Sequence, residues 1–178
     1  MTQSSVRGLP VTVVNTRPDI ETRDVLARLD LALGLLEQYA PHHFRRMHKD
    51  FSRILVQRYE CRGAYFSADR SCMVELTFAV NPDFTPSQIA ATILHEAMHA
   101  RLHQCGYAFK DSDRAREERF CRRAEIEFGR VVPDGQAVVE RALWSLRGSD
   151  EEVAPTIDKA LAAQRIAEAD LNARKARQ

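Results

Sequence analysis

The sequence predicts an α+β domain in which a small antiparallel sheet packs on one long helix, with further helices around them. Three observations predict it. Apolar residues recur at three-and-four spacing over several segments, residues 53–80 hold short β-branched runs broken by turn signals, and residues 86–104 form an apolar run with start and stop signals at its ends. A chain of 178 residues, 44% hydrophobic and 29% charged, suits one domain with a sizeable core.

Residues 1–18 are polar and are expected to form a flexible start. From residue 19 to 39, Val25, Leu26, Leu29, Ala32, Leu33, Leu36 and Tyr39 mark one face of an amphipathic helix, which Pro41 interrupts. A short second helix follows, with Phe44, Met47 and Phe51 inward and Arg45, Arg46 and Lys49 outward. Residues 53–59 and 64–66 read as strands around a turn at 60–63. Residues 72–80 read as a third, with Cys72, Val74, Leu76, Phe78 and Val80 on one face. This third strand is the candidate for a substrate-holding sheet edge, although an ordinary interior strand fits its pattern equally well.

The next helix carries the strongest signals. Thr85 is a good N-cap, Pro86 fits the first turn, and Gln88 completes a capping box; Ile89, Ile93, Leu94, Ala97, Met98 and Leu102 continue at helical spacing up to Cys105-Gly106. Asp111, Ser112 and Asp113 offer N-caps for a helix reaching residue 130, with Phe120, Cys121, Ala124, Phe128 and Val131 as its stripe. Pro133-Asp134-Gly135 stops it, and a helix over 136–146 packs through Val138, Val139, Leu143 and Leu146. The domain is thus expected over 19–148. Residues 149–178 form an alanine- and charge-rich helical tail, either frayed in solvent or docked, with a second copy of the chain as one possible partner.

Bulk properties exclude several classes of function. A net charge of +1 gives no support to a nucleic-acid binder, which leans on basic excess. No apolar run approaches a membrane span and residues 1–7 lack a signal-peptide core, so a cytoplasmic protein without a membrane partner is expected. Cys61, Cys72, Cys105 and Cys121 form no CxxC pair and read as small core residues.

The 86–104 helix contains His95-Glu96-Ala97-Met98-His99, the HExxH arrangement. Residues four apart share a helix face, so His95 and His99 can offer imidazole nitrogens to one metal ion while Glu96 handles a water beside it. A catalytic zinc needs a third protein ligand. His103 lies about 12 Å along the axis from His95 in a straight helix, too far for one ion. No histidine follows it, so a later ligand has to be a carboxylate or a thiolate, and an acid on the next helix is the choice. Glu118 is preferred, since it shares a polar face with Arg122 and Glu125; Glu117 and Glu125 stay open, Glu125 also as the group that orients a histidine. Tyr65, His103, Tyr107 and Arg122 are candidate donors to a developing oxyanion.

HExxH followed by a downstream glutamate resembles the gluzincin branch of the zinc metallopeptidases. The longer metzincin pattern would need glycine at Leu102 and histidine at Cys105. The short chain is similar to the minimal minigluzincins and ImmA/IrrE-like peptidases, whose HExxHxxxH pattern matches His95, His99 and His103. The gluzincin ExxxD extension is not reproduced, because Arg122 stands four residues after Glu118. The resemblance implies a zincin-like fold and a Zn²⁺ held by His95, His99 and Glu118. It further implies hydrolysis of a peptide or protein substrate with Glu96 as general base. The alternative is a zincin-like metal-binding regulatory or scaffold protein without significant turnover.

Overall fold

The periodicities resolve into five strands and eight helices among the described residues of a computed structural model, which are 1–107 and 113–175. Strands β1 (Thr2–Val6) and β2 (Leu9–Val13) precede helices α1 (Thr22–Tyr39) and α2 (Pro41–Asp50). Strands β3 (Arg53–Gln57), β4 (Gly63–Phe66) and β5 (Ser71–Glu75) lead into the one-turn helix α3 (Leu76–Val80). Then come α4 (Pro86–Gln104), α5 (Arg114–Gly129), α6 (Gln136–Leu146), α7 (Asp150–Val153) and α8 (Lys159–Lys175). The architecture is α+β.

The start of the chain is structured rather than flexible. Arg7 and Gly8 both take positive φ, 47° and 78°, the conformation of a tight two-residue hairpin turn. That turn pairs β1 with β2 from Thr2↔Val13 to Val6↔Leu9. β1 is exposed apart from Val6, whereas Leu9, Val11 and Val13 of β2 are buried, so the hairpin is held by one strand's side chains.

The sheet is mixed, not antiparallel. Its order is β1-β2-β3-β5-β4, with β2–β3 and β3–β5 parallel and the two outer pairs antiparallel. Parallel pairing of β2 with β3 is possible because α1 and α2 form the crossover between them. On α1, Val25, Leu29, Ala32, Leu33 and Leu36 have no solvent exposure, and the helix packs on α4.

The expected strand over 72–80 ends early. Glu75 turns its carboxylate back to accept the Phe78 N–H at 2.7 Å and the Thr77 hydroxyl at 2.7 Å, capping α3, and Arg58 neutralises it. All five residues of β5 are buried because it lies between β3 and β4. β5 is therefore an interior strand, and β4 is the edge.

Helix α4 runs through the middle of the molecule, with Ile89, Ala90, Ile93 and Ala100 at 0% exposure. Its capping box is complete, Thr85 N–H to Gln88 at 2.9 Å and Gln88 N–H to the Thr85 hydroxyl at 3.3 Å. At the other end Gly106 takes φ 81°, and the N–H groups of Gly106 and Tyr107 return to the carbonyls of His103 and Leu102. Both ends are thus fixed as the sequence implies. Asp113 is the N-cap of α5; Asp111 and Ser112 lie outside the described residues.

Helix α8 buries none of its side chains and holds to the body through Asp170, whose carboxylate meets Arg58 at 2.9 Å, Thr16 at 3.2 Å and Arg17 at 3.5 Å. The tail docks on its own chain by charge, not by its apolar seam, since Leu161 and Leu171 remain exposed. Among the described residues no helix is long and apolar enough to cross a membrane.

Candidate metal centre

Helix α5 returns antiparallel beside α4, packing Cys121 and Ala124 on Met98. This seam carries the acids of α5 to the histidines of α4. His95 Nε2 and His99 Nε2 stand 3.2 Å apart. The Glu118 carboxylate faces both, with one oxygen 3.1 Å from His95 Nε2 and the other 3.3 Å from His99 Nε2. A tetrahedral ion bound at about 2.0–2.1 Å has ligand atoms roughly 3.3 Å apart. The donor set fits zinc in both chemistry and spacing.

Glu125 occupies the other side of His95. It accepts from His95 Nδ1 at 2.6 Å and from Arg122 at 2.7 Å. A proton fixed on Nδ1 leaves Nε2 free to act as a ligand, so Glu125 orients the imidazole instead of competing for the ion. Burial alone would lower the His95 pKa, but the Glu118 and Glu125 carboxylates hold it up at about 10. Burial opposes ionisation of Glu118 and Glu125 too. The imidazoles prevail, keeping both carboxyls below their ordinary range.

Glu96 is buried and lines the same cleft, and desolvation raises its proton affinity against the pull of His95 and His99. Gly63, the first residue of β4, passes directly over it. A Cβ at Gly63 would sit 2.9 Å from Glu96 Oε1 and 2.6 Å from the Thr92 methyl. Only glycine lets the edge strand lie this close to the acid.

A cleft of about 730 Å³ opens here. Its floor holds His95, Glu96, His99 and Glu118; β4 supplies one wall through Gly63, Ala64 and Tyr65; Arg141 and Trp144 of α6 and Pro155 and Ile157 of the tail stand elsewhere around it. Of the other expected residues, Glu117 also lines the cleft but touches neither histidine through a hydrogen bond or ion pair among the described residues. His103 packs its ring against Tyr65 at 5.9 Å, away from the histidine pair. Tyr65 and Arg122 line the cleft, and Tyr107 is exposed at the end of α4.

Two contributors were not anticipated from sequence. Gly63 reads only as a turn residue, since nothing in a single sequence reveals what lies beneath it. Cys121 reads as core, yet its sulfur and the His95 and His99 nitrogens all lie within 4.8 Å of one another. Without a metal, burial together with Glu118, Glu96 and Glu125 raises its thiol pKa well above the ordinary value, and Cys121 stands as an alternative donor beside the Glu118 carboxylate that faces both imidazoles. The chain matches no protein-family model, no curated protein and no solved structure.

Proposed function

We propose that the protein is a zinc-dependent peptidase, with His95, His99 and Glu118 holding the ion and Glu96 acting as general base. One observation carries this reading: two imidazole nitrogens and the two oxygens of one carboxylate converge at 3.1–3.3 Å on the floor of an open cleft, with a second, buried carboxylate beside them. A zinc ion there would acidify a water and polarise the scissile carbonyl. Glu96 takes a proton from the attacking water and later gives it to the leaving nitrogen as the C–N bond breaks. Its raised proton affinity suits a group that must hold that proton between the two transfers.

The other residues position and neutralise. Glu125 fixes the His95 tautomer, and Arg122 screens Glu125. The outer edge of β4 offers main-chain hydrogen bonds to an extended peptide lying across Glu96, and the missing side chain at Gly63 leaves that path open. Tyr65 and Arg122 are the cleft donors able to meet a developing oxyanion.

The deciding experiment is metal analysis of wild type, Glu118→Ala and Cys121→Ala prepared without added zinc, combined with cleavage of a denatured protein by wild type and Glu96→Gln. The expected result is about one zinc per chain in wild type, Cys121→Ala and Glu96→Gln, loss of zinc in Glu118→Ala, and no cleavage by Glu96→Gln. Zinc retained without cleavage by wild type favours a metal-binding scaffold. Absence of zinc after reconstitution overturns the metal centre.

A further inference from the structure

Four arginines line the cleft: Arg62 immediately before β4, Arg122 on α5, Arg141 on α6, and Arg114 at the start of α5, which donates to the Pro155 carbonyl at 3.4 Å. Arg122 is paired with Glu125, which is shared with His95. Among the described residues no hydrogen bond or ion pair engages the guanidinium of Arg62 or Arg141. Arg62 instead lies over the Phe84 ring at 4.3 Å and the Phe78 ring at 5.4 Å. Arg62, Arg122 and Arg141 are near enough to feel one another: burial and then Arg122 lower the Arg62 pKa, and burial, Arg122 and Arg62 lower that of Arg141 against the pull of Glu125 and Glu96.

Among the described residues the acids of the cleft make no direct contact with Arg62 or Arg141. Glu118 faces the imidazoles, Glu125 is divided between His95 and Arg122, and Glu96 is the buried base. Glu117 lies toward His99, Asp113 and Glu118, and no arginine perturbs it. Arg141 feels Glu125 and Glu96 at a distance, but among the described residues neither it nor Arg62 has a carboxylate in direct contact, and two partly desolvated guanidiniums without a paired anion are costly unless one is supplied. Guanidinium forks match a planar carboxylate in two parallel hydrogen bonds.

We propose that Arg62, Arg122 and Arg141 form a subsite for a carboxylate of the substrate peptide, either an acidic side chain or a free C-terminus, beside His95. This rests on the peptidase reading. Arg62 approaches from the strand wall and Arg141 from the helical wall, so a carboxylate between them anchors an extended chain at one end of β4. Substrates lacking it lose that anchor.

The test uses zinc-loaded Glu96→Gln protein and a random hexapeptide library, half with free C-termini and half amidated, with the bound fraction sequenced by mass spectrometry. One charged pair supports about tenfold enrichment. Asp and Glu enriched over Asn and Gln at one position identifies a side chain; free over amidated termini identifies the terminal carboxylate. Either enrichment should disappear in Arg62→Gln and Arg141→Gln, introduced separately in the same background with zinc content unchanged. Because these lie on different elements, one misfolded variant leaves the other to decide. No enrichment, or enrichment surviving in the folded variants, overturns the subsite and assigns any anion preference to the zinc alone. Wild-type protein is incubated with the same library in parallel. Enrichment without cleavage keeps the subsite and overturns only the peptidase reading, whereas cleavage without enrichment does the reverse.

Discussion

Replacing Gly63 with alanine adds one methyl group at the closest approach between the edge strand and the proposed base. That methyl would lie 2.6 Å from the Thr92 methyl and 2.9 Å from Glu96 Oε1. Carbon contacts become favourable only near about 3.5 Å, so the strand and helix must separate by roughly 0.9 Å or the two side chains must turn away. Thr92 is not free to turn without loss, since its hydroxyl donates to the Gln88 carbonyl at 3.1 Å. Glu96 is the softer neighbour and should be the group displaced. Overpacking of this kind costs about 1–3 kcal/mol, and moving a catalytic group by about 1 Å costs on the order of 10²-fold in rate. The assay measures kcat on a peptide cleaved by wild type, together with zinc content and the unfolding midpoint. We expect kcat to fall about 10²-fold with zinc retained, and Gly63→Ala/Thr92→Ser to recover part of the stability but little of the rate. Wild-type kcat in folded Gly63→Ala would refute the placement of Glu96 beneath β4, and loss of zinc would show that the damage passes through the ligands instead.

Two further outcomes follow from the metal centre. Glu125→Gln preserves shape but removes the charge behind His95 Nδ1, so zinc affinity should drop about 10–100-fold by competition with a chromophoric chelator, and an unchanged affinity would remove Glu125 from the orienting role. Metal-free protein should show a stability difference between wild type and Glu118→Gln that is largest between pH 4.5 and 6.5. Glu118 is held below its ordinary pKa, so its contribution exists above 4.5 and is lost as pH falls. His95 is held above 6.5, so its contribution is complete below that value and is lost as pH rises through about 10. Unfolding midpoints against pH check this, with a slope of up to about 1.4 kcal/mol per pH unit for one linked proton; a difference independent of pH contradicts the ion pair.

What was legible in the sequence was local. The capping box at Thr85 and Gln88, the terminating Gly106, and the i, i+4 placement of His95 and His99 all follow from neighbouring residues. Glu118 was reachable because α5 packs beside α4, so periodicity on each helix limits which acids meet the histidines. The sheet was less legible, because alternation does not encode a partner. Cys72 to Val80 alternates well, yet in its middle Glu75 caps a helix while pairing with Arg58, which lies just beyond β3. The β1–β2 hairpin was missed because β1 is polar and almost wholly exposed, so it carries no apolar pattern. Arg62 and Arg141 gave no signal at all, since their relation arises only when β4 and α6 face the same space.

The tail has a consequence for the cleft. It leaves the domain along Pro155 and Ile157, both of which border the cavity, and returns to it only at Asp170. The segment between these points contributes no buried side chain, so the core holds together whether or not it is seated. Arg58 would not be orphaned by its departure, because Glu75 still faces it. The cavity is therefore bounded by materials of unequal permanence: a side made of strand and helix whose geometry is that of the fold itself, and a side held by the packing of α7, the Arg114 contact to Pro155 and the Asp170 carboxylate with its arginines. Asp170, Arg58 and Arg17 are only 13–15% exposed, so moderate salt screens these pairs weakly and the seating of the tail, like the domain itself, persists.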